Sequence, residues 1–339
     1  MDIIANIDKS FRGIIYAERD GEVLCESVTG FADLANRIPN TVQTRFASAS
    51  AGKAFVAVGI MQLIEQGRLG FESTLGELFD IDLGSIDPAV TVRQLLNHTS
   101  GVPDYFDESV MDEYEELWRE LPNYRVRRND DLFPLFLGKP MMYPRGERFQ
   151  YNNSGYVLLA SVIERVTGTS FADYLRENVF VPAGMSRTGY FPLDRLPDGC
   201  ANSYICCPET GDFRTNIYSV EANGSGAGGA FITVPDIVRF WKALLGGKLV
   251  SADLAAQMMS KQSGDGGDPE EGWYGYGLWI IDNPSGSDRP YFQGCDPGAG
   301  FISEYDPDTR TISVLVSNFC DNVWEEMRKL RAALCPAEE

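Results

Sequence analysis

Histidine is almost missing from this 339-residue sequence, in which His98 is the only imidazole. That scarcity nearly excludes a histidine-rich metal site, because such sites need several imidazole ligands. It also argues against a Ser-His-Asp catalytic triad. We therefore expect His98 to be a packed, hydrogen-bonded structural side chain, and we expect neither a metal ion nor an organic cofactor.

Basic residues are also scarce. The chain has 29 Lys and Arg against 49 Asp and Glu, a formal net charge of −20. This balance argues against binding to nucleic acid or to an anionic membrane, because phosphate groups attract a basic surface. No apolar run approaches the length of a bilayer span, and the longest covers residues 54–61. With 44% apolar residues the chain can still fold around a large core.

The sequence shows neither CxxC pairs nor a basic region followed by a long apolar stretch at residues 1–4. The cysteines are odd in number: Cys25, Cys200, Cys206, Cys207, Cys295, Cys320 and Cys335. Free thiols are therefore expected rather than a disulfide framework, and with them a cytoplasmic location.

Strand-like segments occur at both ends of the chain. Residues 13–18 and 22–28 alternate around Asp20-Gly21, which indicates a β-hairpin. Four more strand-like segments and a final amphipathic helix are predicted towards the C-terminus: residues 276–281, 289–293, 301–305, 311–317 and 323–334.

The middle of the chain has helical periodicity instead. A helix is predicted over residues 51–66, and another over 153–167, with Asn153 as its N-cap and Gly168 as its stop. The fold class we expect is α+β, with an antiparallel sheet built from both termini, flanked by helices, and a mostly helical inserted region.

The corresponding domain prediction has two parts. A discontinuous sheet domain would comprise residues 1–49 and 273–339. A mostly helical domain would comprise residues 50–272 and would carry the candidate catalytic residues.

Ser50 and Lys53 form the first candidate constellation. On a helix, a lysine three residues after a serine lies on the same face, within reach of the serine oxygen. A desolvated lysine has a lowered pKa and can accept the serine proton. The alternative is a helix-capping Ser50 with a solvated Lys53, but Lys53 is the only charged residue between positions 47 and 64.

Tyr151 and Asn153 form the second constellation, at the start of the helix predicted over 153–167. A phenol can shuttle protons, and an asparagine amide can bind a substrate carbonyl. The alternative is a turn followed by a helix N-cap. Tyr151 and Asn153 can take part in catalysis only if they lie beside Ser50 and Lys53.

Together these motifs resemble the serine β-lactamase/penicillin-binding-protein superfamily. The similarity is to the branch of class C β-lactamases, D-aminopeptidases, D-Ala-D-Ala carboxypeptidases and related esterases. The stretches that carry the resemblance are Arg45-Phe46-Ala47-Ser48-Ala49-Ser50-Ala51-Gly52-Lys53, Gln94-Leu95-Leu96-Asn97-His98-Thr99-Ser100-Gly101-Val102-Pro103-Asp104, and residues 144–156, 226–229 and 274–278.

The resemblance implies a β-lactamase-like fold and a set of roles. Ser50 would be the acylated nucleophile, Lys53 its proton acceptor and Tyr151 the shuttle to the leaving group. Asn153 would contact the substrate amide. The oxyanion would bind the backbone N–H of Ser50 and one from a sheet strand.

The third motif of the superfamily, Lys-Thr-Gly or His-x-Gly, is altered. The corresponding residues are Gly294-Cys295-Asp296, or Gln293-Gly294-Cys295 after a shift of one, and neither register contains Lys or His. We assign Gly294, Cys295 and Asp296 to substrate binding. Loss of the cation should weaken carboxylate recognition, and Asp296 could even repel such substrates.

The leading hypothesis is a serine hydrolase that acts through a Ser50 acyl-enzyme on a small ester or amide, as an esterase, D-aminopeptidase or peptidase-like enzyme. The alternative is a catalytically weak or inactive penicillin-binding-protein-like protein that binds ligands. Three aromatic residues after His98 are candidate pocket residues: Tyr105, Phe106 and Trp118.

Overall fold

The computed structural model describes residues 3–264, 272–283, 286–319 and 321–334. Its strands are β1 (Gly13–Arg19), β2 (Glu22–Thr29), β3 (Phe31–Asp33), β4 (Ile38–Pro39), β5 (Phe46–Ala47), β6 (Tyr204–Cys206), β7 (Phe213–Thr215), β8 (Phe231–Ile232), β9 (Ser263–Gly264), β10 (Trp273–Tyr274), β11 (Trp279–Ile281), β12 (Arg289–Asp296), β13 (Ala299–Asp306) and β14 (Thr311–Ser317). Eight of them form one antiparallel sheet in the order β2-β1-β14-β13-β12-β11-β10-β9.

The two ends of the chain meet in this sheet. Asp20 and Gly21 both have positive φ, 52° and 90°, as a two-residue hairpin turn requires. Strand β1 pairs on its other edge with β14, where Ile15 lies opposite Leu315. The prediction of an α+β fold with a sheet built from both termini is confirmed.

Nine α-helices lie in the described part of the chain: α1 (Lys53–Glu65), α2 (Leu75–Leu78), α3 (Val92–Leu96), α4 (Asn153–Thr167), α5 (Phe171–Leu175), α6 (Val181–Ala183), α7 (Val234–Leu245), α8 (Ala252–Met258) and α9 (Val323–Leu334). Short 3₁₀ or π segments cover Ala49–Gly52, Tyr114–Trp118, Asn123–Arg125, Asn129–Leu135, Arg176–Phe180 and Leu193–Arg195. Helix α9 has the bounds predicted from the sequence.

The N-cap of α4 differs from the prediction. Asn152, not Asn153, caps this helix, because its backbone is extended and its side-chain oxygen accepts from the N–H of Gly155 at 2.7 Å. Asn153 is the first helical residue, so its side chain is available for other contacts. Gly168 ends α4 at φ 73°, as predicted.

The sheet is buried on both faces. Helix α9 covers one face, where Met327 packs with Ile15 and Leu315. Helix α1 lies in the larger core on the other side, and Phe55 makes edge-to-face contacts there with three rings, those of Phe180, Phe240 and Phe292. Because every residue of β14 is buried, this strand joins the two cores.

The domain boundaries stay a prediction. Strand β9, at Ser263–Gly264, extends the sheet to a point before the expected boundary at residue 273. Cys25, Cys200, Cys206 and Cys207 are free thiols, and Cys320 and Cys335 lie outside the described residues. In the described ranges, the helices are all too short or too polar to cross a bilayer.

We predict that Phe55→Ala lowers the free energy of unfolding by about 3–5 kcal/mol, because it removes a ring from a closely packed core and leaves a cavity. Urea unfolding monitored by circular dichroism measures this change. The matched control is Phe31→Ala. Because Phe31 is 38% exposed, this substitution should lower the free energy of unfolding by less than about 1 kcal/mol. Equal losses in the two variants would contradict the assignment of Phe55 to the core.

Candidate active site

Ser50 lies in the tight turn that leads into α1. The 3₁₀ segment Ala49–Gly52 precedes Lys53 directly, and Ala49 takes a left-handed φ of 47°. One turn further on, Lys53 Nζ donates to Ser50 Oγ at 3.0 Å. The structure therefore places the two residues in the contact that their spacing predicts.

Lys53 is buried, with 2% of its surface exposed. Besides Ser50, its ammonium donates to Asn153 Oδ1 at 2.8 Å and to the carbonyl of Ala227 at 2.6 Å. Burial lowers the pKa of Lys53 to about 8, although the charges of Glu108 and Asp104 act in the opposite direction. A lysine with this pKa is partly neutral near physiological pH and can then accept a proton.

The Tyr151 side chain lies beside Ser50, whose hydroxyl lowers the pKa of the phenol, against the larger effect of burial. Lys53 Nζ lies 4.8 Å from the centre of the Tyr151 ring, and the ring of Trp279 stacks on it at 5.7 Å. Burial raises the pKa of Tyr151 well above 10. The phenol is therefore protonated at neutral pH and is a proton donor.

Asp104 anchors Asn153, and sequence reasoning assigned it no role. Its carboxylate is 5% exposed and accepts from the backbone N–H groups of Asn153 at 2.9 Å and Ser154 at 3.0 Å. Burial raises the pKa of Asp104 to about 6. The sequence feature that could have indicated this role is the position of Asp104 at the end of the motif over residues 94–104.

Strand β12 brings the altered third motif against the Ser50 turn. A Cβ on Gly294 would lie 2.6 Å from the nitrogen of Ser50 and 2.3 Å from the oxygen of Ser48, so no side chain fits there. The next residue, Cys295, is exposed, and Asp296 is half-buried. Gly294, Cys295 and Asp296 therefore lie beside Ser50 without supplying a cation.

Two cavities meet at Ser50. The first cavity, of about 450 Å³, is lined by Tyr105, Phe106, Tyr114, Asn153, Glu221 and Asp296 among others. The second cavity, of about 640 Å³, is lined by Tyr151, Trp279, Gln293, Asn322, Trp324 and Arg328 among others. Tyr105 and Phe106 are thus pocket residues as expected.

Trp118 is not among the residues that line these cavities. It packs against Tyr114 at 5.5 Å, and its indole N–H donates to the carbonyl of Ser219 at 2.9 Å. Glu221, which the sequence analysis missed, lines the first cavity. Glu221 belongs to no recognisable sequence motif, and it comes to lie at the cavity only when the chain folds.

His98 lies behind the site rather than in it. Its Nδ1 accepts from the backbone N–H of Asn152 at 3.1 Å, and its ring packs against Tyr151 at 4.6 Å and Tyr274 at 4.5 Å. Burial, and to a lesser degree the charge of Lys53, lowers the pKa of His98 well below 6.5. The neutral imidazole supports the chain around Tyr151.

A Ser-x-x-Lys pair at the start of a buried helix, facing an antiparallel sheet, defines the class of serine β-lactamases and penicillin-binding proteins. The family model for β-lactamase matches residues 4–335. The chain belongs to the β-lactamase family, and its β-lactamase-like fold agrees with the prediction.

Relatives come from the penicillin-binding and D-amino-acid branches. Penicillin-binding protein 4* of Bacillus subtilis is 28% identical over 95% of this chain and 71% of its own length. The crystal structure of a penicillin-binding protein from Bacillus halodurans is 37% identical, with a TM-score of 0.89, over 95% of this chain and 96% of the other. The D-aminopeptidase of Brucella anthropi is 30% identical over 56% of this chain and 34% of its own length.

The D-amino acid amidase of Ochrobactrum anthropi SV3 is a further structural neighbour. Its complex with D-phenylalanine has a TM-score of 0.79 at 24% identity, over 97% of this chain and 95% of the other. At this identity the likeness shows a shared fold.

We predict that His98 stays neutral in the folded protein, because protonation would place an unpaired charge in a buried aromatic cluster. As His98 is the only histidine, its ring-proton NMR signal can be followed without assignment. Between pH 8 and about pH 5.5 the signal should change only slightly, as Lys53 and Asp104 titrate, and should not move to the position of an imidazolium ring, while the urea-denatured chain should titrate near 6.5. A folded-state midpoint close to 6.5 would contradict the buried position.

Proposed function

We propose that this protein is a serine hydrolase that forms an acyl-enzyme at Ser50 with a small amide or ester. The observation that carries the proposal is the 3.0 Å contact between Ser50 Oγ and the buried amine of Lys53. A serine hydroxyl is a weak nucleophile until a base takes its proton, and a lysine with a pKa near 8 can be that base.

The proposed first half-reaction begins at Ser50. Neutral Lys53 accepts the hydroxyl proton as Ser50 Oγ attacks the substrate carbonyl. Tyr151, a protonated phenol, then donates a proton to the leaving group and is reprotonated from Lys53. Asn153 contacts the substrate amide. Water attacks the acyl-enzyme in the second half-reaction and releases the acid.

The oxyanion in this mechanism binds two backbone N–H groups. Ser50 supplies the first, at the start of α1, where the helix dipole is positive. We propose that the second comes from Cys295, because Gly294 brings strand β12 directly against the Ser50 nitrogen. Donors on a rigid turn and a sheet strand are preorganised for a developing negative charge.

The substrate is proposed as a neutral or cationic amide or ester, including D-amino-acid derivatives. The second candidate function is ligand binding without turnover. The altered third motif favours ligand binding without turnover, because Gly294, Cys295 and Asp296 provide no cation beside Tyr151. The cytoplasmic location stays a prediction, supported by the free thiols among the described cysteines.

We predict that a fluorophosphonate labels the native protein once, at Ser50, because Lys53 activates this hydroxyl. Intact-protein mass spectrometry detects the adduct, and Ser50→Ala should abolish it. Ser48→Ala is the matched control, since Ser48 Oγ is buried without a hydrogen-bond partner in the described part of the chain. An unlabelled native protein would favour the binding function instead.

We predict that the labelling rate rises with pH to a plateau, with a midpoint near 8, where Lys53 loses its proton. Lys53→Met should slow labelling at least about a hundredfold, which is the usual contribution of a general base. Glu108→Gln should move the midpoint to lower pH, because the Glu108 charge favours the protonated amine. A rate that is flat between pH 6 and 10 would show that Lys53 is not the base.

A further inference from the structure

The two cavities share part of their walls at the nucleophile. The described residues that line both cavities are Ser50, Glu108 and Cys295. Cys295 belongs to strand β12, where the oxyanion is proposed to bind. Glu108 lies in a different part of the chain, shortly after the motif over residues 94–104. A carboxylate is therefore placed beside Ser50, at the junction of the two cavities.

Asn153 connects Glu108 to the Ser50–Lys53 pair. Its amide nitrogen donates to Glu108 Oε1 at 3.3 Å, and its amide oxygen accepts from Lys53 Nζ at 2.8 Å. The same ammonium group donates to Ser50 Oγ at 3.0 Å. Because one amide contacts both charged groups, Glu108 has a defined position relative to Ser50, although it lies outside the helices and strands.

Two other carboxylates whose charges act on Lys53 are used within the protein. Asp104 accepts from two backbone N–H groups at the start of α4, and Glu221 accepts from two tyrosine hydroxyls. Glu108 is exposed, and within the described ranges its carboxylate accepts only the one hydrogen bond from Asn153. A carboxylate has about four acceptor positions, so Glu108 can also bind a water molecule.

Hydrolysis of an acyl-enzyme requires a base that takes a proton from water. Tyr151 is unsuited to this step, because burial raises its pKa well above 10 and the phenol is a proton donor. Lys53, with a pKa of about 8, is mostly an ammonium group at neutral pH, and it is not among the described residues that line either cavity. Glu108 has both the acceptor oxygens and the position on the cavity wall.

We propose that Glu108 is the general base of the second half-reaction and takes a proton from the water that hydrolyses the acyl-enzyme. This inference rests on the proposed function, because it assigns a role within the same reaction. Tyr151 lines the second cavity, so a leaving group that it protonates departs there. Water then enters the second cavity and lies between Glu108 and the acyl carbonyl carbon.

The step transfers one proton to Glu108. An O–H bond of the water breaks as its oxygen bonds to the acyl carbon, and the proton passes to the Glu108 carboxylate. Lys53, in its ammonium form, donates a proton to Ser50 Oγ as the bond between Oγ and the acyl carbon breaks. The acid leaves, and Glu108 releases its proton to solvent, which balances the proton that Lys53 took from solvent before the step. Lys53 is then neutral and can accept the next serine proton.

A single turnover with the enzyme in excess over p-nitrophenyl acetate measures the two half-reactions separately. The absorbance of p-nitrophenolate reports acylation, and intact-protein mass spectrometry of quenched samples reports the decay of acetyl-Ser50. Ser50→Ala gives the background from other groups, such as the exposed Cys295 side chain. In Glu108→Gln, which keeps an oxygen for Asn153, the decay should be at least about a hundredfold slower, whereas acylation should stay close to the native rate.

Glu113→Gln is the matched control, because Glu113 is an exposed carboxylate of the same segment and lines neither cavity. This variant should keep both native rates. Hydroxylamine is a strong nucleophile that needs no general base, so it should restore rapid loss of the acetyl group in Glu108→Gln. A substitution that merely displaced Asn153 would slow acylation as well, and hydroxylamine would not correct that loss.

Three results would contradict the inference. An unchanged decay of acetyl-Ser50 in Glu108→Gln overturns it and leaves the hydrolase. Equal slowing of acylation and decay makes Glu108 a positioning residue that acts through Asn153, and also overturns the inference. Acylation of the native protein that is no faster than that of Ser50→Ala rejects the proposed function and the inference together.

Discussion

One buried ammonium group joins the parts of the chain that form the site. Lys53 Nζ donates to Ser50 in the turn before α1, to Asn153 at the start of α4 and to the carbonyl of Ala227 before β8. A charge removed from water is tolerated only when hydrogen bonds replace its hydration. These three elements must therefore pack closely around Lys53, and the same packing brings the serine and the amine into contact.

The surroundings of Lys53 balance two opposing effects on its basicity. Burial favours the neutral amine, and carboxylates such as Glu108 and Asp104 favour the charged one. Their sum leaves the pKa near 8, where both forms coexist. Asp104 also holds the backbone of Asn153, so one carboxylate contributes to both the geometry and the electrostatics of the centre.

The altered third motif on strand β12 contains an acidic residue and no Lys or His. Gly294 keeps the close approach between strand and nucleophile. In either register, a neutral residue, Gly294 or Gln293, stands where the superfamily motif has Lys or His, and Asp296 lies close by in the sequence. Burial raises the pKa of Tyr151, and the altered motif supplies no cation that would lower it. The proposed oxyanion contacts are compatible with this change, because they come from backbone groups, whereas a preference for substrate charge depends on side chains.

The sequence by itself determined the local structure and the Ser50–Lys53 pair. Asp20-Gly21 predicted the first hairpin, periodicity predicted α9 at residues 323–334, and a spacing of three placed Lys53 one helical turn from Ser50. Only the tertiary structure decided that Asn152 caps α4, that Asn153 and Ala227 reach Lys53 from 100 and 174 residues away, and that Glu221 shares a cavity with Asp296. Turn and helix patterns act over a few residues, whereas such distant contacts depend on how the whole core packs.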